Sequence, residues 1–132
     1  TQHAGMPLEV DGGRKNIQEV MSREDLKAGH ALVDSIRLDQ SIVHYIVDLA
    51  RASRNDAEIL HGVSTRAADA LAGAVRAAAA LDGRDYAIPD DVQALVVPAF
   101  RHRIVLGPTA EIEGRTPDDV LKSMINRIDA PR

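Results

Sequence analysis

The chain has no cysteine, no tryptophan, two tyrosines and one phenylalanine. The missing cysteine excludes disulfides and thiolate metal sites. Aromatic content of 2% against 45% hydrophobic leaves alanine, valine, isoleucine and leucine to build the core. These side chains suit helices that approach closely, so an all-α bundle of about four to five helices is expected. The sequence contains no run of about 18 apolar residues that would span a bilayer, and no charged-then-apolar signal pattern at its start. The expected compartment is therefore cytoplasmic. A formal net charge of −4 argues against a general nucleic-acid binder, which needs a local excess of lysine and arginine against phosphate. With 132 residues the chain is long enough for one domain with a continuous core.

Several catalytic signatures are missing as well. His3, His30, His44, His61 and His102 are scattered with no i,i+4 pair, which leaves no histidine zinc site. There is no Gly-x-x-x-x-Gly-Lys-Ser/Thr phosphate loop. Asp90-Asp91 and Asp118-Asp119 each follow a proline at a helix start, where carboxylates satisfy orphan N–H groups; they do not follow a buried strand that would aim them at magnesium. No serine stands in a nucleophile-elbow context.

What is present reads as a series of capped helices. Ser22, with Glu24 and Asp25 behind it, opens a helix to about Ser35 whose apolar side is Leu26, Ala28, Leu32 and Val33. Asp39 caps a second helix to about Ser53, with Ile42, Ile46, Leu49 and Ala50 as its stripe, Val43 and Val47 widening it, and His44 and Tyr45 on the flanks. A third helix, Thr65 to about Asp82, is so apolar that nearly its whole circumference can be covered, which predicts a central position; Gly83 ends it. Pro89-Asp90-Asp91-Val92 opens a fourth helix carrying Val92, Leu95, Val96 and Ala99, its regularity limited by Pro98. Ile104-Val105-Leu106 is an apolar extended stretch followed by an exposed loop through Glu113 and Gly114. Thr116-Pro117-Asp118-Asp119-Val120 then starts a last helix with Val120, Leu121, Met124, Ile125 and Ile128 on its buried side.

Gly62-Val63-Ser64-Thr65-Arg66 is the segment with the most chemical content. Ser64 has N-cap chemistry, its hydroxyl being able to accept from an orphan N–H, and Arg66 falls near N2 of the third helix. A guanidinium beside the positive end of a helix costs about 0.3–1 kcal/mol at an exposed position, unless it and the free N–H groups share an anion such as phosphate. The ordinary alternative is a solvated surface arginine. Arg101-His102-Arg103 follows the fourth helix, where cations suit the negative dipole end; a partner or nucleotide contact is the alternative.

These strings together resemble one family. Tyr45-Ile46-Val47-Asp48-Leu49 with Arg54, Gly62-Val63-Ser64-Thr65-Arg66-Ala67, Gly83-Arg84-Asp85-Tyr86, Pro89-Asp90-Asp91-Val92, His102-Arg103-Ile104, Glu111-Ile112-Glu113-Gly114, Thr116-Pro117-Asp118-Asp119-Val120 and Pro131-Arg132 stand in the order found in the C-terminal lid subdomain of MoxR-type AAA+ ATPases. The resemblance covers most of the chain. It implies that Gly62 to Arg66 is the sensor 2 motif, with Arg66 reaching the phosphates of ATP and Ser64 as helix cap. Two positions depart from the family pattern: Thr65 replaces the usual proline, and Ile88 replaces a Thr or Ser cap that would be worth about 1 kcal/mol.

The resemblance further implies that residues 1–21 are the linker leaving a missing AAA+ core and that 22–132 form the lid. The start at Thr1, and the early Gly5, Pro7, Gly12 and Gly13, fit a piece of a longer protein. ATP and Mg2+ would be held mainly by that core, so this piece alone would not hydrolyse ATP. The implied partners are the chain's own core, neighbouring subunits of a hexamer, and von Willebrand factor A-domain proteins or client complexes, with no nucleic acid and no membrane span. Two other functions remain open on the residues alone. One is a non-enzymatic helical interaction module; the other is a DNA-binding module using Arg51, Arg54, Arg101 and Arg103.

Overall fold

Capping chemistry decides where most of the helices begin. In the computed structural model, which describes residues 18–132, Ser22 and Asp25 form a reciprocal capping box at the start of α1 (Arg23–Ser35), with N–H to oxygen distances of 3.1 and 2.9 Å. Asp39 accepts from the Ser41 N–H and opens α2 (Gln40–Asn55). Thr116 and Asp119 repeat the capping box at α6 (Pro117–Ile125). Between them lie β1 (Ile59–His61), α3 (Thr65–Leu81), α4 (Pro89–Phe100), β2 (Val105–Leu106) and the one-turn α5 (Pro108–Ile112). Most of the expected linker, residues 1–17, lies outside the described residues; 18–21 carry no helix or strand.

The architecture is the expected helical bundle, with six helices and one small sheet among the described residues. Its core holds Leu49, Leu71, Val75, Val96, Phe100, Leu121 and Met124, all 0–1% exposed, so the single phenylalanine lies at the centre. No helix among the described residues is long and apolar enough to cross a membrane. Val120, Leu121 and Met124 of α6 are buried as its stripe predicts, with Ile125 and Ile128 packed partly against the core.

Several expectations are corrected. α3 does touch α1, α2 and α4, as a central helix should, but only its Ala67, Leu71, Val75 and Ala79 stripe is buried, and Leu81 at its end is 91% exposed. A helix this rich in alanine has a narrow cross-section, so its neighbours cover one side and leave the other to solvent. Tyr45 belongs to the core and not to a flank: its ring is 3% exposed and its hydroxyl meets Gln93 Nε2 at 3.4 Å. The supposed exposed loop after Leu106 is α5, started by Pro108 at N1 and anchored by buried Ala110, with Gly114 at φ 71° closing its end. Pro98, expected to limit the regularity of α4, sits inside its last turn, where the hydrogen bond it forgoes does not prevent the helix from reaching Phe100.

The apolar extended stretch pairs antiparallel with Ile59–His61, a strand that the sequence pattern did not announce. Helix α1 forms as expected, but none of its residues is buried, and Leu26 and Leu32 are 51% and 56% exposed. The segment after it, Ile36 to Leu38, is tied to the α3–α4 connection through Arg37 N–H to Asp85 O at 2.9 Å and Ala87 N–H to Arg37 O at 3.0 Å.

Candidate functional site

The connection from α2 to α3 carries the Gly62–Arg66 segment, and it is seated on the last turn of α2. Ser53 is the one fully buried polar side chain among the described residues, at 0% exposed. Its hydroxyl donates to the Ala50 carbonyl at 2.7 Å and accepts from the Val63 N–H at 3.0 Å. The hydroxyl thus both donates and accepts, as burial of a polar group demands. Gly62 passes so close to α2 that a Cβ there would stand 2.5 Å from the Ser53 carbonyl oxygen and 2.6 Å from the Arg54 nitrogen. Val63 is 1% exposed and belongs to the core. On the other side, β1 pairs Ile59 with Leu106 and His61 with Val105, and the Gly107 N–H donates to the Glu58 carbonyl at 2.8 Å.

Ser64 then takes the extended N-cap conformation, φ −79° and ψ 168°, but its hydroxyl caps nothing. This corrects the expected side-chain cap. The Ser64 contribution is its carbonyl, which accepts from Ala67 N–H at 3.0 Å and Ala68 N–H at 3.3 Å. Among the described residues, no side chain caps the Thr65 or Arg66 N–H. Arg66 occupies N2 and is exposed, and the first turn of α3 contains no acid. One turn further on, Ala68, Asp69 and Ala72 join Val43, Ile46 and Val47 of α2 around a recess of about 210 Å³. Among the described residues, a cation, N–H donors without a side-chain cap and a mainly apolar recess share this end of α3.

At the other end of α3 the cation is fully engaged. Arg84 reaches both oxygens of Asp91, at 2.7 and 2.9 Å, and also Asp82 at 3.1 Å and the Tyr86 carbonyl at 2.9 Å. Its guanidinium lies 6.0 Å from the Tyr86 ring centre. Asp91 also accepts from the Ile88 N–H at 2.9 Å, which satisfies from inside the helix the end that Ile88 cannot cap with its own side chain. Burial alone would push the Asp91 carboxyl up, but the hydrogen bonds from Arg84 and the Ile88 N–H outweigh it and hold the carboxyl below the usual carboxylate range. The Asp91 hydrogen bonds also raise the Arg84 guanidinium above its ordinary value.

The remaining arginines considered from the sequence are mostly engaged within the chain. Arg101 meets Asp118 at 3.3 Å, Arg103 Nε donates to His102 Nε2 at 3.1 Å, Arg51 lies 3.9 Å from Asp48, and Arg54 Nε reaches the Ala50 carbonyl at 3.3 Å. They do not gather with Arg66 into one described contact network. No group of three or more His, Asp or Glu side chains placed to hold a metal ion occurs among the described residues. Sequence reasoning missed Ser53, whose only signal was a small polar residue at the end of an amphipathic helix.

Comparison with known proteins places this geometry among relatives. Residues 51–124 match the family described as the AAA lid domain. The uncharacterised YeaC protein of Bacillus subtilis is 33% identical over 117 residues, covering 89% of this chain and 37% of that protein. Chaperone MoxR1 of Mycobacterium tuberculosis is 27% identical over 124 residues, covering 87% and 33%. Protein MoxR of Paracoccus denitrificans is 39% identical over 80 residues, covering 51% and 24%. The crystal structure of a protein from Cytophaga hutchinsonii, described as a putative ATPase, superposes with a TM-score of 0.81 at 27% identity, over 87% of this chain and 38% of that one. The chain thus spans less than two fifths of each of these relatives.

Proposed function

The chain belongs to the AAA lid domain family, as a lid of the MoxR type, and on that premise we propose that it serves a AAA+ ATPase as a nucleotide-responsive lid, with Arg66 as its sensor. The observation that carries this reading is the exposed Arg66 at N2 of a helix whose first turn holds no acid and whose N-cap side chain caps nothing. A cation and unpaired N–H donors on one helix end make an anion site that an external phosphate completes. ATP with Mg2+ supplies the charge that changes on hydrolysis. Arg66 binds and orients the terminal phosphates through its planar, multi-donor fork, as preorganised cations do in phosphoryl transfer. The rigid seat of α3 on α2 passes that contact to the whole bundle, so the angle of the lid to its core follows the nucleotide state.

By likeness to its relatives, the phosphate loop and the magnesium-binding acids belong to an αβ core outside this chain, and the lid contacts that core and the next subunit of a hexameric ring. The name of chaperone MoxR1 is in keeping with a chaperone-like role, and the partners proposed from the family resemblance are client complexes or von Willebrand factor A-domain proteins. A cytoplasmic site of action accompanies that role.

The test is to read the coding sequence upstream of Thr1 and to assay the encoded protein for ATP turnover. An αβ core of roughly 200 residues with a Gly-x-x-x-x-Gly-Lys-Ser/Thr loop, and turnover by the product, is the expected result. An unrelated upstream domain, or none, overturns the proposed role as a nucleotide-responsive part of an ATPase. It would favour a non-enzymatic interaction module, for which the uncovered apolar side of α1 at Leu26 and Leu32 is the supporting feature.

A further inference from the structure

A sensor arginine is only as precise as the backbone that carries it, and here its own helix cap contributes little. The Ser64 side chain makes no cap bond. What fixes the start of α3 lies three residues before Arg66, where the Val63 N–H is held by the buried Ser53 hydroxyl at 3.0 Å and that hydroxyl is itself fixed by donation to the Ala50 carbonyl at 2.7 Å. Gly62 allows the approach, since a Cβ would stand 2.5 Å from the Ser53 carbonyl oxygen. The contact joins residues ten apart in sequence and ties the sensor segment to the C-terminal turn of α2. An unpaired buried N–H is costly, so leaving this seat carries a penalty wherever the Val63 N–H stays buried.

We propose that Ser53 and Gly62 are positioning residues for Arg66: together they form a buried latch between α2 and the sensor segment that sets where the guanidinium meets the nucleotide. This rests on Arg66 acting at the nucleotide. Neither residue touches the phosphate. Ser53→Ala removes the acceptor of the Val63 N–H, and Gly62→Ala pushes the segment off α2 while leaving the hydroxyl in place. A shift of about 1 Å in a positioned group can cost on the order of a hundredfold in rate, so losses of about tenfold are expected for Ser53→Ala and somewhat more for Gly62→Ala.

The test is a double-mutant cycle in the full-length ATPase, with ATP turnover measured for Arg66→Ala, for each latch variant, and for each latch variant combined with Arg66→Ala. If the latch acts through Arg66, each double variant turns over at the Arg66→Ala rate within about twofold. Wild-type turnover in both single latch variants, or double variants that fall a further tenfold below Arg66→Ala, mean that Ser53 and Gly62 do not act through Arg66, and overturn the proposal. Amide exchange at Val63 supplies a readout independent of chemistry: it should speed at least about tenfold in Ser53→Ala, and unchanged exchange overturns the latch. Wild-type turnover in Arg66→Ala alone refutes the sensor reading itself, a failure distinct from that of the latch.

Discussion

The two ends of α3 treat an arginine in opposite ways. At the C-terminal end, Arg84 is held by Asp91, Asp82 and a backbone carbonyl, with its side chain only 18% exposed. At the N-terminal end, Arg66 is exposed, no acid shares its turn, and the helix start has no side-chain cap. The first arrangement closes a connection between two helices. The second leaves an exposed cation beside a helix start that the Ser64 side chain does not cap. Charge in a structure is thus informative chiefly by whether the fold already neutralises it, and the two ends of this helix hold an arginine paired within the domain and one left exposed.

The largest effect expected from breaking this contrast is at the closed end. Asp91→Ala strands the Arg84 guanidinium and leaves the Ile88 N–H without its acceptor, and should destabilise the domain by about 1–3 kcal/mol in denaturant melts. At the open end, Arg66→Lys keeps the charge but loses the planar fork, and should lower ATP turnover of the full-length protein about tenfold with the melting temperature unchanged. Acid provides a gentler probe of the closed end. Because the folded state holds the Asp91 carboxyl below its usual value, that group stabilises the fold fully above about pH 4, the unfolded carboxylate range, and its contribution is lost as pH falls further through the folded value. Amide exchange across residues 84–91 should accelerate there before that at Val63, which rests on a hydroxyl that does not titrate. The smallest effect is a gain. Thr65→Pro, at an N1 position whose N–H has no side-chain cap, should stabilise the domain by about 0.4–1 kcal/mol, measured by thermal unfolding.

Much of the fold was legible because local chemistry decides it. Ser22 with Asp25, Asp39, and Thr116 with Asp119 mark helix starts within a few residues, and Gly83, at φ 73°, marks an end. What was not legible is what depends on distant partners. Ile59–His61 is too short to show an alternating pattern and becomes a strand only through β2. The hydroxyl of Tyr45 suggests a flank, yet Gln93, far along the chain, lets the ring enter the core. The apolar residues of α1 were legible, but their exposure was not, since burial is a property of the neighbour. In the candidate site, Arg66 at N2 follows from helix phase alone, while the idle Ser64 hydroxyl and the Ser53 seat require the folded approach of α2. The pairing of Arg84 with Asp91 hid in what reads locally as turn residues followed by a helix start.

The most direct measurement is ATP turnover and melting temperature of the full-length protein with Arg66→Ala beside Arg84→Ala. If Arg66 senses the nucleotide, Arg66→Ala loses roughly a hundredfold or more in turnover at an unchanged melting temperature, whereas Arg84→Ala melts earlier with turnover much less affected below its melting point. Wild-type turnover in Arg66→Ala, with loss confined to Arg84→Ala, would contradict that role.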